Sequence, residues 1–182
     1  MQEYLNTLLH PSKSLVIGIG GVSRAGKSTL ASLIASFFLH DTCLILCLDD
    51  FIRPLSEIPR VRDHVDWEDP YSIDFDKLYS AIIQQQTKYG VIIVEGLFAF
   101  NNESINHLFN FGYFIKIKRR EFFHRKRLDL TWGVEPEWYI HHIWKSYLKY
   151  GRTMNNISPL FVLDGNKPFD KHLLLSHLQR FI

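Results

Sequence analysis

Several things are scarce in these 182 residues, and each scarcity removes a class of protein. Cysteine occurs twice, at Cys43 and Cys47, inside an apolar run over 43–48 that reads as a strand. On a regular strand the two side chains share a face but stand roughly 13 Å apart at ~3.3 Å per residue. That is too far for a disulfide. A disulfide-framed secreted module is therefore excluded, and two unpaired thiols point to a reducing, cytoplasmic compartment. Net charge is nearly absent at +2, which argues neither for nor against a polyanionic partner and leaves the location of charge to matter more than the sum. No apolar run approaches the ~18 residues that a membrane span needs. The opening MQEYLNTLLHPSKS carries an early acid and no basic stretch, so it is not expected to be a signal peptide. Internal repeats, low-complexity tracts and linkers are missing too, and the nine histidines show no metal-ligand spacing. What remains is an ordinary globular composition, 46% hydrophobic and 22% charged. A chain of this length forms one domain and buries about 70% of its unfolded surface.

The most informative stretch present is GVSRAGKS, Gly21 to Ser28. It follows the apolar run LVIGIG over 15–20 and leads into a segment with helical periodicity. Strand, glycine-bounded loop, Lys-Ser and helix together make a Walker A loop in its proper context. Glycines at Gly21 and Gly26 let backbone N–H groups turn inward with no Cβ in the way. The helix starting at Lys27 adds unsatisfied amides and the positive end of its dipole. The expected phosphate cradle is Gly21, Val22, Ser23, Arg24, Ala25, Gly26, Lys27, Ser28 and Thr29. Lys27 brings charge to the outer phosphates, and the Ser28 hydroxyl is suited to Mg²⁺. A nucleoside triphosphate is the expected ligand.

Along the chain, residues 2–9 read as a short helix ended before Pro11. After the loop, Leu30, Leu33, Ile34, Phe37 and Phe38 recur at helical spacing. The run 43–48 is continuous in apolar residues, as a parallel strand covered on both faces would be. A polar stretch punctuated by proline follows over 53–70. Asp74 then reads as the N-cap of a helix whose Phe75, Leu78, Tyr79, Ile82 and Ile83 share a face. Further strands are expected at 91–94, 113–117 and 160–163, at least two helices between 118 and 150, and a closing helix over 169–181. Strands alternating with helices give a mostly parallel sheet, with ligands beyond the carboxyl ends of its strands. That rule gathers the phosphate loop, Asp49-Asp50 after the second strand and Glu95 after the third.

Phosphoryl transfer needs a base near the acceptor hydroxyl, and Asp49 is the candidate. Glu95 is placed to reach Mg²⁺ directly or through water. The run Lys116, Lys118, Arg119, Arg120, Arg125, Lys126, Arg127 admits three readings: a lid that brings arginine to the phosphoryl group, a solvated helix face, or a nucleic-acid patch. Trp132-Gly133 and Pro136 favour a hinged lid over roughly 119–136. The adjacent His141 and His142 are read as structural. In HVDWEDP, Trp67 is able to stack on a flat ring and a carboxylate to take a ribose diol. Asp63, Asp66, Glu68 and Asp69 favour a ring of positive charge.

With these residues placed, the chain resembles the uridine kinase-like P-loop kinases, and among them the nicotinamide riboside kinases. The resemblance runs from Leu15 to about Lys167. It rests on GVSRAGKST, Asp49-Asp50-Phe51, Trp67-Glu68-Asp69-Pro70, Val94-Glu95-Gly96, His142-Ile143-Trp144 with Tyr147-Leu148-Lys149-Tyr150, and Leu163-Asp164-Gly165. It implies a single α/β kinase domain over 1–182: a three-layer sandwich around a five-stranded parallel sheet, with a small lid. It implies transfer of the γ-phosphate of ATP, with Mg²⁺, to the 5′-hydroxyl of nicotinamide riboside. Asp49 would then be the base, Lys27, Ser28 and Glu95 would serve phosphate and metal, Arg125 would act from the lid, and Trp67 and Glu68 would contact nicotinamide and ribose. Family members usually have Asp where Glu68 stands, which brings in Asp66 as a second candidate for the ribose contact. The lid aligns poorly over 128–136, and the segment before Ser14 is not typical of the family. Partners are expected to be small molecules only, with no nucleic acid and no membrane, in a monomer or homodimer. Two rivals stand against this reading. A uridine/cytidine kinase gains less from the acidic loop, and a non-catalytic nucleotide switch of the GTPase kind would need an Asn-Lys-x-Asp that the chain lacks.

Overall fold

Seven residues, Leu15–Gly21, form the central strand β1, and all seven are buried. Apolar residues on both faces of the pleat require cover on both sides, which suits a strand in the middle of a parallel sheet. The computed structural model describes residues 14–131, 133–152, 157 and 159–182. In it β1 pairs in parallel with β5 (Val91–Gly96) on one side and β6 (Phe111–Lys116) on the other. β2 (Cys43–Cys47) flanks β5 and β7 (Leu160–Asp164) flanks β6, giving the order β2-β5-β1-β6-β7. A separate two-stranded hairpin, β3 (Arg60–Val61) and β4 (His64–Val65), stands away from this sheet. Connections from β1 run toward one edge and those from β5 toward the other, so the direction reverses at the β5–β1 boundary. A crevice opens there at the strands' carboxyl ends.

The helices are α1 (Lys27–Ala35), α2 (Phe75–Gln85), α3 (Glu103–Asn106), α4 (Arg119–Arg127), α5 (Glu137–Ser146) and α6 (Lys171–Leu178). A π-helical turn, Tyr147–Gly151, continues α5. Asp74 caps α2 as expected, its carboxylate accepting from Lys77 N at 3.0 Å. Among the described residues no helix is long and apolar enough to cross a membrane.

Two expectations about burial fail, each for a topological reason. β2 is an edge strand, because β5 inserts between it and β1; Ile45 is 36% exposed and both cysteines are half-buried and free. On α2, only Leu78 and Ile82 are fully buried, while Tyr79 and Ile83 turn to solvent. The stripe facing the sheet is narrower than the apolar pattern suggested. The β3–β4 hairpin and α3 carry too short a pattern to be read in advance. The helix expected over 2–9 and the hinge residue Trp132 lie outside the described residues.

Candidate active site

The phosphate loop is shaped by two unusual backbone positions. Gly26 takes φ 102° and caps α1 in the left-handed region, with no side chain covering the helix's free amides. Arg24 adopts φ 62°, rare for a residue with a Cβ. The lid holds it there from two directions. Its carbonyl accepts from Arg125 (Nη1, 3.2 Å), and its guanidinium lies 3.6 Å from the Asp129 carboxylate. Lys27 donates to the Val22 carbonyl at 3.3 Å, across the mouth of the loop.

Behind the loop, Ser28 Oγ donates to Glu95 Oε1 at 2.6 Å, and Glu95 is only 3% exposed. Asp49 follows β2 in a short 3₁₀ turn, Leu48–Asp50. A Cβ on Gly96 would stand 2.6 Å from Leu48 Cβ. Only glycine at that strand end lets Leu48 close in and bring Asp49 toward Glu95. Asp49 keeps a solvent-facing surface, yet protein crowds its carboxyl. That burial raises its proton affinity; Lys27 opposes the effect, and Glu95 and Asp50 add to it. Lys27, Ser28, Glu95 and Asp49 thus converge at the carboxyl ends of β1, β5 and β2. Burial pushes the Cys47 thiol beneath them up to about 12, with Glu95 and Asp49 adding to the rise.

A second wall comes from the 66–69 loop. Asp66 Oδ1 accepts from Glu68 N at 3.1 Å and lies 2.7 Å from His142 Nε2 on α5. Two groups thereby fix the loop from below. Its hairpin rests on the same helix: His64 stacks on Tyr139 at 5.7 Å, and Arg62 sits 4.3 Å over the Trp138 ring. Trp67 is left 41% exposed. Glu68 beside it is half-buried, and its Oε2 is buried without a hydrogen-bond partner among the described residues. Burial pushes its pKa up to about 7, against the pull of Lys126 and with the push of Asp66. Lys27 also acts on Glu68, so the two walls face one space.

The lid differs from a uniform basic face. Arg125 turns inward, donating to Glu121 (2.6 Å), Arg24 O (3.2 Å) and Gly165 O (2.9 Å). Arg127 pairs with Glu137 at 2.5 Å. Lys126 is 6% exposed, held by Glu135 at 2.9 Å and Asp129 at 3.5 Å. Three of the seven cations are thus engaged by the protein itself, while Lys116, Lys118, Arg119 and Arg120 are exposed. His142 contacts Asp66 and so ties α5 to the 66–69 loop, whereas its neighbour His141 pairs with Glu137 on its own helix. Lys126 lies in the basic run and His142 in the His142-Ile143-Trp144 motif, whereas Asp129 and Glu135 are not legible as site residues from sequence. The i,i+3 spacing of Lys126 and Asp129 was the one signal available.

Solved structures decide the fold. The chain superposes on a putative kinase from Chloroflexus aurantiacus with a TM-score of 0.61 at 14% identity, over 93% of this chain and 99% of that one. A possible uridine kinase from Bacillus stearothermophilus gives 0.56 at 17% identity, over 87% and 95%. This is the P-loop kinase fold. No family model matches the sequence. Among curated proteins, this chain is 27% identical over 173 residues to nicotinamide riboside kinase 1 of Rattus norvegicus, spanning 85% of this chain and 88% of the relative. The likeness to nicotinamide riboside kinases therefore runs through both walls of the crevice and the lid, well beyond the phosphate loop.

Proposed function

We propose that the protein is an ATP-dependent nucleoside kinase that phosphorylates the 5′-hydroxyl of nicotinamide riboside, giving the mononucleotide for NAD biosynthesis in the cytoplasm. The observation that carries this reading is the pairing of two walls across Lys27. One wall carries the proton-accepting Asp49, and the other carries Trp67 with the unpartnered carboxylate of Glu68.

Each residue has a definable task. Backbone amides of 21–29 hold the triphosphate, and Lys27 neutralises charge on its outer phosphates. Asp49 accepts the proton of the 5′-hydroxyl as that oxygen bonds to the γ-phosphorus. The bond to the β–γ bridging oxygen breaks, and ADP leaves with the electron pair. A carboxylate whose burial raises its proton affinity is a better base than an ordinary aspartate. Arg125, anchored to the Arg24 carbonyl of the phosphate loop, is the residue we assign as the lid arginine for the transferring group.

Ser28 and Glu95 are oxygen donors already in contact, as a hard cation requires. Among the described residues no three His, Cys, Asp or Glu side chains form a metal cage. Mg²⁺ held through phosphates and water needs none. When bound, Mg²⁺ supplies positive charge to the phosphates.

On the acceptor side, Trp67 offers its face to the nicotinamide ring, and Glu68, with Asp66 beneath it, offers carboxylate to ribose hydroxyls and to the ring's positive charge. A coupled assay of ATP consumption with nicotinamide riboside, uridine and cytidine tests the assignment. Turnover of nicotinamide riboside well above both pyrimidines is expected. Turnover of uridine alone would make the protein a uridine/cytidine kinase, and nucleotide binding with no acceptor phosphorylated would make it a switch.

A further inference from the structure

Lys126 is the leading positive charge acting on Glu68, yet it is committed elsewhere. Its ammonium is drawn to Glu135 at 2.9 Å and to Asp129 at 3.5 Å, inside a region where Lys126 and Asp129 side chains are each 6% exposed. Asp129 is locked in turn by Thr131, whose N and Oγ1 donate to its Oδ1 at 3.1 and 2.6 Å. Three carboxylates, Glu68, Asp129 and Glu135, thus share one buried lysine; the half-exposed Arg24 reaches Asp129, and Lys27 adds its charge to Glu68 from across the crevice. Two carboxylate oxygens, Glu68 Oε2 and Glu135 Oε2, are buried with no hydrogen-bond partner among the described residues. Unpaired buried carboxylate is costly, and it is retained where something else is to supply the charge or the hydrogen bond.

We propose that Glu135 sets the charge preference of the acceptor site. By holding Lys126, it keeps Glu68 free and the wall net negative, so the site selects nucleosides whose base carries a positive charge over neutral ones of the same shape. Glu135 is a positioning residue: it acts through Lys126, not on the reacting atoms. Without its charge, Lys126 would swing to Glu68 and neutralise the wall from within. This inference rests on the nucleoside kinase reading above, since it concerns which nucleoside that site accepts.

The decisive comparison uses nicotinamide riboside and its dihydro form, which keeps the ribose, the carboxamide and a six-membered ring of nearly the same size but carries no charge. For the wild type, KM for the cation should be lower by about tenfold or more, as expected when one of two isosteres meets uncompensated charge. Glu135→Gln should raise KM for the cation by about tenfold, while KM for the dihydro form and for ATP change by less than about twofold. On a Lys126→Met background the same substitution should add little, because its effect runs through the lysine. Equal shifts for both nucleosides, or an undiminished effect without Lys126, would overturn the proposal. So would a wild type that accepts both forms equally, a result that needs no variant and leaves the kinase reading intact. A wild type that phosphorylates no nucleoside would remove the kinase reading and this inference together.

Discussion

Ser28 Oγ donates a 2.6 Å hydrogen bond to the buried carboxylate of Glu95, tying the first turn of α1 to the end of β5. A helix start and a strand end are thereby fixed to one another at the point proposed above for the nucleotide's metal. Glu95→Gln keeps the size and loses the charge. It should lower kcat by at least about 100-fold and raise the Mg²⁺ concentration needed for half-maximal rate. Nucleotide binding measured without metal should be nearly unchanged. An unaltered Mg²⁺ requirement would separate Glu95 from the metal.

Asp49 stands opposite that pair. Asp49→Asn preserves shape but cannot take a proton, so kcat should fall by at least about 100-fold. The dissociation constant for ATP, read by calorimetry, should stay within about twofold. Comparable turnover in the variant would take the base role from Asp49.

Glu68 makes pH a probe of both stability and binding. Its carboxyl is raised in the folded protein from an ordinary 4.5 to about 7. The folded state therefore holds a proton that the unfolded state releases, and stability falls as pH rises through that window. Glu68→Gln removes the dependence. Denaturant unfolding at pH 5 and pH 8 should show the variant gaining on the wild type at the higher pH. For a cationic nucleoside the trend reverses: the carboxylate form binds it, so KM should drop as pH climbs past 7. A pH-independent gap between the two proteins would mean that Glu68 titrates normally.

Trp67→Ala should raise the nucleoside KM by about tenfold or more, the scale of a lost ring stack with a cation–π contribution. KM for ATP should move by less than about twofold. Parallel changes in both constants would assign Trp67 to packing of the hairpin instead.

Gly96→Ala tests whether the close approach behind Asp49 matters. The new Cβ would lie 2.6 Å from Leu48 Cβ, so the turn must retreat. A cost of about 1–3 kcal/mol is expected, seen as a Tm drop of about 2–4 °C per kcal/mol, together with a loss of kcat from displacement of Asp49. A stable variant with reduced kcat would still support the geometric role; full activity would remove it.

The sequence alone determined the βαβ class, the phosphate loop and the acids at strand ends. Those features are local: a run of apolar residues, glycines at fixed offsets, or a charge directly after a strand. The same locality made Asp74 legible as a helix cap and the five sheet strands recognisable within a few residues of their ends. Only the tertiary structure decided which strand lies at the edge, since β5 takes the place beside β1 and leaves β2 half open. It alone decided which charges face solvent. Within one basic run, Arg125 turns to the phosphate loop, Arg127 pairs with Glu137, and Lys126 is buried among carboxylates from the lid and the acceptor loop. A charge's role depends on the distance to partners remote in the chain and on the water excluded between them. Neither quantity is written in the order of residues.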